Sequence, residues 1–174
     1  ELADDPEQLA VVGHIRRSTE HLLQVVNDIL DFSQLQAGQL RLNPQDYVLQ
    51  GLVDELEKRY SEKALSKGVA LRMSCDRALP MRLHGDRGRL SQILNNLVDN
   101  AIKFTSQGLV QVRMLRQGDA LRVEVQDSGR GIAPERQQHI FRRFEHADVQ
   151  TNRAYGGTGL GLTLCEKLVL LHGG

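Results

Sequence analysis

The chain has 174 residues, 22 Lys and Arg balanced by 22 Asp and Glu, two cysteines and no tryptophan. This length fits one compact domain plus an extension, and the balanced charge gives no global field to recruit nucleic acid or an anionic membrane surface. Cys75 and Cys165 form no metal-spaced pattern and fit a reducing compartment. No apolar run approaches the roughly 20 residues of a membrane span, and no signal-peptide pattern is read at the amino terminus, so a soluble piece is expected.

From about Pro6 to Gln36 the spacing predicts a long helix with no internal proline and one early glycine, Gly13. Ile15, Leu22 and Ile29 recur every seven residues, Thr19, Val26 and Ser33 fill the companion positions, and Leu23 and Leu30 widen the stripe. At about 1.5 Å per residue such a helix is about 45 Å long and cannot bury the stripe against itself. It is expected to join a bundle or coiled coil and to dimerise; the other reading is a surface helix of the domain that follows. Gly38 stands where the helix should end and Asn43-Pro44 marks a break. The expected division is therefore a helical piece, 1–43, and a second domain, 44–174.

In that second domain a helix is expected from Leu49 to Lys67, closed by Gly68, then a strand from Val69 to Ser74. Asp86 to Phe104 reads as a helix with Leu90, Ile93, Leu94, Leu97 and Ala101 inward. Leu109 to Leu115 and Leu121 to Asp127 read as antiparallel strands, since Leu121, Val123 and Val125 alternate with Arg122, Glu124 and Gln126. Gln117-Gly118-Asp119 supplies their turn. Pro134 suits the first position of a short helix, residues 142–158 read as a mobile polar loop, and Leu160 to Leu171 as an apolar helix. Helices separated by hairpin-type strands predict an α+β class, a two-layer α/β sandwich rather than a parallel sheet.

Three motifs carry chemistry. Asn96, Asn100 and Lys103 are spaced by four and three residues and share one helix face, with Leu97, Ala101 and Phe104 expected toward the core. An amide carbonyl is a neutral hard ligand for Mg²⁺ that is otherwise held by water and phosphates, and Lys103 adds a point charge for those phosphates. Taken alone, this is equally a polar face of locally bonded asparagines.

Asp127 ends a strand before a turn containing Gly129 and Gly131. A carboxylate there can accept from the exocyclic amine of adenine, which guanine does not offer at that position, while the glycines let a base approach the backbone. Alone, the motif is equally a turn.

Gly156 to Gly161 leads into a helix amino terminus, whose unpaired N–H groups and dipole suit di- or triphosphate. It is no P-loop, because no Lys-Ser or Lys-Thr follows. It is no dinucleotide fingerprint either, because no strand precedes it. In this order and spacing the three motifs predict ATP.

These residues resemble the ATP-binding domain of sensor histidine kinases, in the Bergerat-fold superfamily shared with gyrase, the heat-shock chaperone and mismatch-repair ATPases. Asn96 to Thr105 is similar to the asparagine box and Asp127 to Ile132 to the first glycine box. Phe141-Arg142-Arg143-Phe144 is similar to the phenylalanine box, and Tyr155 to Leu162 to the second glycine box. Ser18 to Gly38 resembles the second helix of the dimerisation and phosphotransfer bundle, and Asn27 to Ser33 with Ala37-Gly38 resembles the hybrid subgroup.

The resemblance implies Asn100 on Mg²⁺ with Asn96 beside it, Lys103 on phosphate and Asp127 on the adenine amine near Gly129, Gly131 and Ile132. It implies Gly159 and Gly161 at the phosphates beneath a lid spanning about 133–158, and Arg153 at the γ-phosphate. Phe141 and Phe144 are expected to pack at the root of the lid. Phe144, Tyr155, Gly157, Thr158, Leu160 and Leu162 complete the implied ATP-binding set. The implied partners are a second copy, through the amino-terminal helix, and the receiver domain of a response regulator. The implied setting is the bacterial cytoplasm, with a parent protein that an inner-membrane anchor elsewhere would not contradict; neither nucleic acid nor direct membrane contact is expected of this segment.

The sequence departs from that family in having no histidine box for the phosphoacceptor. Of the six histidines only His14 and His21 lie on the bundle-like helix, and His14 is followed by Ile15-Arg16-Arg17, without an acidic neighbour to serve as base. The family's final hairpin does not follow His172-Gly173-Gly174. The chain is therefore expected to bind Mg-ATP without phosphorylating itself. The alternative is a degenerate kinase acting as a regulatory dimerisation module. A nucleic-acid reader is disfavoured by the few aromatics available for base stacking. A gyrase- or chaperone-type ATPase would place a water-activating glutamate in the asparagine helix, and none occurs between Arg89 and Thr105.

Overall fold

The structure, a computed structural model, describes residues 6–142 and 159–174 and divides into two compact units, Glu1–Leu40 and Arg41–Gly174. The expectations that fall on 143–158, namely most of the lid together with Phe144, Arg153, Tyr155, Gly157 and Thr158, lie outside the described residues.

The first unit is built on α1 (Pro6–Gln36). The Thr19 and Ser33 hydroxyls donate to the carbonyls of Ile15 and Ile29 one turn back, at 2.9 and 2.8 Å. These polar residues therefore satisfy themselves on the helix backbone and leave the stripe around them apolar. That stripe is solvent-facing: Ile15, Leu22 and Ile29 are 61, 62 and 49% exposed.

The second unit runs β1 (Gln45–Val48), α2 (Leu49–Ser66), β2 (Val69–Cys75), β3 (Arg82–Gly85), α3 (Arg87–Phe104), β4 (Gly108–Gln117), β5 (Ala120–Asp127), α4 (Pro134–Gln137) and α5 (Gly161–Leu171). Among the described residues β2, β4 and β5 form a sheet in the order β2-β4-β5, and β1 pairs with β3 in an antiparallel ribbon. The β4–β5 hairpin pairs as expected, with Val112 opposite Val125 and Met114 opposite Val123. The sheet is nevertheless mixed, since β2 and β4 are parallel. The segment between them contains α3, a connection long enough to carry the chain back to the same edge. β1 and β3 carry no strand signature in the sequence: each is four residues of mixed polarity, Gln-Asp-Tyr-Val and Arg-Leu-His-Gly, without alternation.

Two layers result. Val110, Val112 and Met114 of β4 face inward and are at most 1% exposed, against Leu52, Leu56, Leu94, Val98 and Ile102 of α2 and α3. The other sheet face is polar, with the Glu124 carboxylate between Arg113 at 2.6 Å and Arg122 at 2.8 Å. On α3 the apolar stripe is rotated from the expected one. Val98 and Ile102 are fully buried beside Leu94 and Ala101, whereas Leu90, Leu97 and Phe104 are only half-buried on its flank. Residues seven apart drift about 20° off a straight helix axis per repeat, so a 90–97–104 row cannot remain at the centre of the contact.

Candidate nucleotide site

α3 organises the site. Its start is fixed by Asp86, whose Oδ1 accepts from the Arg89 N–H at 3.0 Å as an N-cap, while Oδ2 accepts from the Asn43 N–H at 2.9 Å. With the inward face occupied by Leu94, Val98 and Ile102, the residues Asn96, Asn100 and Lys103 fall on a separate, half-buried face.

Asn96 meets the second glycine cluster. A Cβ built on Gly161 would stand 3.4 Å from Asn96 Oδ1, in van der Waals contact, so this glycine lies directly against the amide. Gly161 is the first residue of α5, and the first turn of that helix has no side-chain cap, which leaves N–H donors for an anion. Gly159, just ahead, has φ +66°, a conformation costly for any residue with a Cβ. The Asn96 Nδ2 is buried with no hydrogen-bond partner among the described residues. A buried amide donor left unmade costs about 1–3 kcal/mol, so its retention at the mouth of the glycine turn fits a bound group that supplies the acceptor. The Asn100 side chain makes no hydrogen bond among the described residues and is equally available as an oxygen donor. Leu160 is buried at 2%, so its contact with a ligand would be through the main chain. Leu162 is half-buried.

The first glycine cluster meets the other end of α3, about 12 Å further along at about 1.5 Å per residue. Asp127 pairs with Val110 across the hairpin, which puts its side chain on the helix-facing side of the sheet. Asp127 Oδ1 accepts from the Gly129 N–H at 2.9 Å, and Oδ2 has no partner among the described residues. One oxygen thus fixes the carboxylate and the other remains for a donor. A Cβ on Gly129 would lie 2.5 Å from the Phe104 carbonyl oxygen and 2.8 Å from Asp127 Oδ1. Glycine is required there because the loop packs on the end of α3, rather than because a base must approach it. Gly131 follows, and Ile132 is 41% exposed.

Burial pushes the Lys103 ammonium below its ordinary range; Asp99 opposes that shift and Lys63 adds to it. Its Nζ lies 5.3 Å from the centre of the Phe104 ring, and the Arg130 guanidinium lies 5.2 Å from the same centre. Arg130 is a further cation at this end of the site, and its place between the two glycines is the signal in the sequence that points to it. Phe141 is 43% exposed, and its carbonyl accepts from the Thr163 hydroxyl at 2.8 Å.

Fold and site together define a class, a two-layer α+β domain in which one helix meets a glycine turn at each end. The profile described as "Histidine kinase-, DNA gyrase B-, and HSP90-like ATPase" matches residues 85–174. Over 174 residues the chain is 39% identical to the signal transduction histidine-protein kinase BarA of Escherichia coli K12, covering 97% of this chain and 19% of that protein. It is 43% identical over 171 residues to the circadian input-output histidine kinase CikA of Synechococcus elongatus, covering 96% and 22%. A crystal structure of full-length ShkA in complex with AMPPNP superposes with a TM-score of 0.79 at 35% identity, covering 97% of this chain and 35% of that one. The chain thus spans about a fifth of the length of the curated relatives it matches. It belongs to the histidine kinase-, DNA gyrase B- and HSP90-like ATPase family, as an ATP-binding catalytic domain of the sensor histidine kinase type. No helix among the described residues is long and apolar enough to cross a membrane.

Proposed function

We propose that the chain binds Mg-ATP between α3 and its two glycine clusters and presents the γ-phosphoryl group to a histidine of a phosphotransfer bundle, from which it passes to a response-regulator receiver domain. The observation that carries this reading is the convergence of Gly161 on Asn96 and of Gly129 on Phe104 at opposite ends of one polar helix face. Asp127 Oδ2 would accept from the adenine amine, Lys103 would meet the phosphates, and the open first turn of α5 with Gly159 and Gly161 would hold their oxygens. Gly131 and Ile132 would border the base. Phe144, Arg153, Tyr155, Gly157, Thr158, Leu160 and Leu162 complete the proposed contacts, with Arg153 at the γ-phosphate.

Among the described residues no cluster of three or more His, Cys, Asp or Glu could hold a metal alone. The donor set instead fits a hard cation shared with phosphate, with Asn100 holding it and Asn96 beside. Bound there, Mg²⁺ would supply neutralisation of phosphate charge. The chain's own work is to position: it anchors the base and fixes the phosphate tail so that an imidazole nitrogen can approach the γ-phosphorus in line.

The exposed stripe of α1 supports a further proposal, that the helical piece pairs with a second copy as part of the bundle. The test is transfer in trans. With labelled ATP, the 174-residue chain should acquire no acid-labile phosphate itself, and it should phosphorylate a supplied bundle helix carrying an acceptor histidine. Label on any of its own histidines, or none on the supplied helix despite ATP binding, would overturn the proposal.

A further inference from the structure

α2 and α3 run side by side in the same sense, joined by polar contacts that advance three or four residues along each helix. The Tyr60 hydroxyl lies 3.2 Å from both the main-chain and side-chain oxygens of Asn95, and Lys63 pairs with Asp99. Lys67 makes the last contact, and it differs from the others. Its Nζ donates to two main-chain carbonyls, those of Ile102 at 2.6 Å and of Lys103 at 3.0 Å.

These carbonyls belong to the last turn of α3, just beyond the end of the helical hydrogen-bond ladder, where C=O groups lack helical partners. Ala101 O takes the Thr105 N–H at 3.1 Å, Lys67 takes the next two, and Phe104 O faces Gly129. A cation at a helix carboxyl end also complements the dipole. The main chain of Lys103 is therefore gripped from α2, while its side chain extends beside the Phe104 ring.

Resting on the nucleotide reading above, we propose that Lys67 is a positioning residue for phosphate binding. By clamping the carbonyl of Lys103 it holds the last turn of α3 in the orientation that aims the Lys103 ammonium at the phosphate tail, without itself touching the nucleotide. A lysine that merely caps α3 would contribute to stability alone. The two roles separate in a double-mutant cycle.

The full chain is titrated with a non-hydrolysable ATP analogue plus Mg²⁺, and with adenosine, as wild type, Lys67→Met, Lys103→Met and the double variant, with Tm recorded for each. Lys67→Met should weaken the ATP analogue by roughly three- to tenfold, within the range of coupling between contacting residues, and leave adenosine unchanged. That loss should vanish in the Lys103→Met background, while the Tm decrease persists there. Lys67→Arg, which can also donate to two carbonyls, should restore affinity. An additive cycle, an equal loss for adenosine, or a change in Tm alone overturns the positioning role. If Lys103→Met by itself leaves affinity for the ATP analogue unchanged, the nucleotide reading of Lys103 fails instead. Should Lys67→Met not fold, Lys67→Ala, which also removes the donor, takes its place in the cycle and is judged by the same criteria.

Discussion

α1 and α3 are both amphipathic helices, yet they use their apolar stripes in opposite ways. In α3 Leu94, Val98 and Ile102 are fully buried against the sheet and α2. In α1 Ile15 and Leu22 remain about three-fifths exposed. Burial of a fully apolar side chain contributes about 1.5–3 kcal/mol, so α3 gains that stabilisation within its own chain whereas the exposed stripe of α1 does not. The contrast also divides the labour. A helix rigidly seated on one face can present an ordered polar face to a small ligand; a helix with an unused apolar face is suited to a helical partner.

The sharpest way to break the comparison is to truncate both stripes. Leu94→Ala should lower unfolding stability by about 2–5 kcal/mol in denaturant titrations. Leu22→Ala should change it by about 0.5 kcal/mol or less in a dilute monomer and instead weaken self-association in sedimentation experiments. Equal destabilisation of the monomer by both would mean that α1 buries its stripe within the chain.

A smaller effect probes the polar face. Asp127→Asn should weaken adenine nucleotides by about 1–3 kcal/mol, the scale of a lost buried hydrogen bond, with little change in Tm. Unchanged calorimetric affinity would remove the purine role.

The smallest effect concerns the seating of α3. Asp86→Ala should cost about 1 kcal/mol through its lost cap. Burial alone would raise the Asp86 carboxyl, but the N–H groups of Asn43 and Arg89, with the charges of Arg89 and His172, outweigh it and hold the group below its ordinary value of 3.8. A carboxylate depressed by folding contributes stability that is present above the unfolded value and is lost as pH falls through the folded one. The gap between wild type and variant should therefore persist at neutral pH and close on acidification below 3.8; a gap independent of pH would contradict the charged cap.

Much of this was legible in the sequence because it is local. Asp86 before a periodic run gave the start of α3, Gln117-Gly118-Asp119 gave the hairpin, and the stripe of α1 gave its length. The α+β class followed from the order of such elements, and the three nucleotide motifs are themselves short runs. What escaped depends on partners distant in the chain. β1 and β3 are strands only because they pair with each other, Gln45 with Gly85 and Val48 with Arg82. The parallel register of β2 on β4 is set by the crossover through α3. The need for glycine at 129 comes from a carbonyl twenty-five residues earlier, at Phe104. The role of Lys67 likewise requires knowing that α2 ends where α3 ends, which no periodicity reports.

The most direct test of the account is whether adenine nucleotide and divalent cation meet at Asn100. Calorimetric titration of the 174-residue chain with a non-hydrolysable ATP analogue should show binding that Mg²⁺ strengthens, and in Asn100→Ala that strengthening should disappear while the far-ultraviolet circular dichroism is unchanged. If Mg²⁺ strengthens binding equally in wild type and Asn100→Ala, the assignment of the metal to this helix face is contradicted.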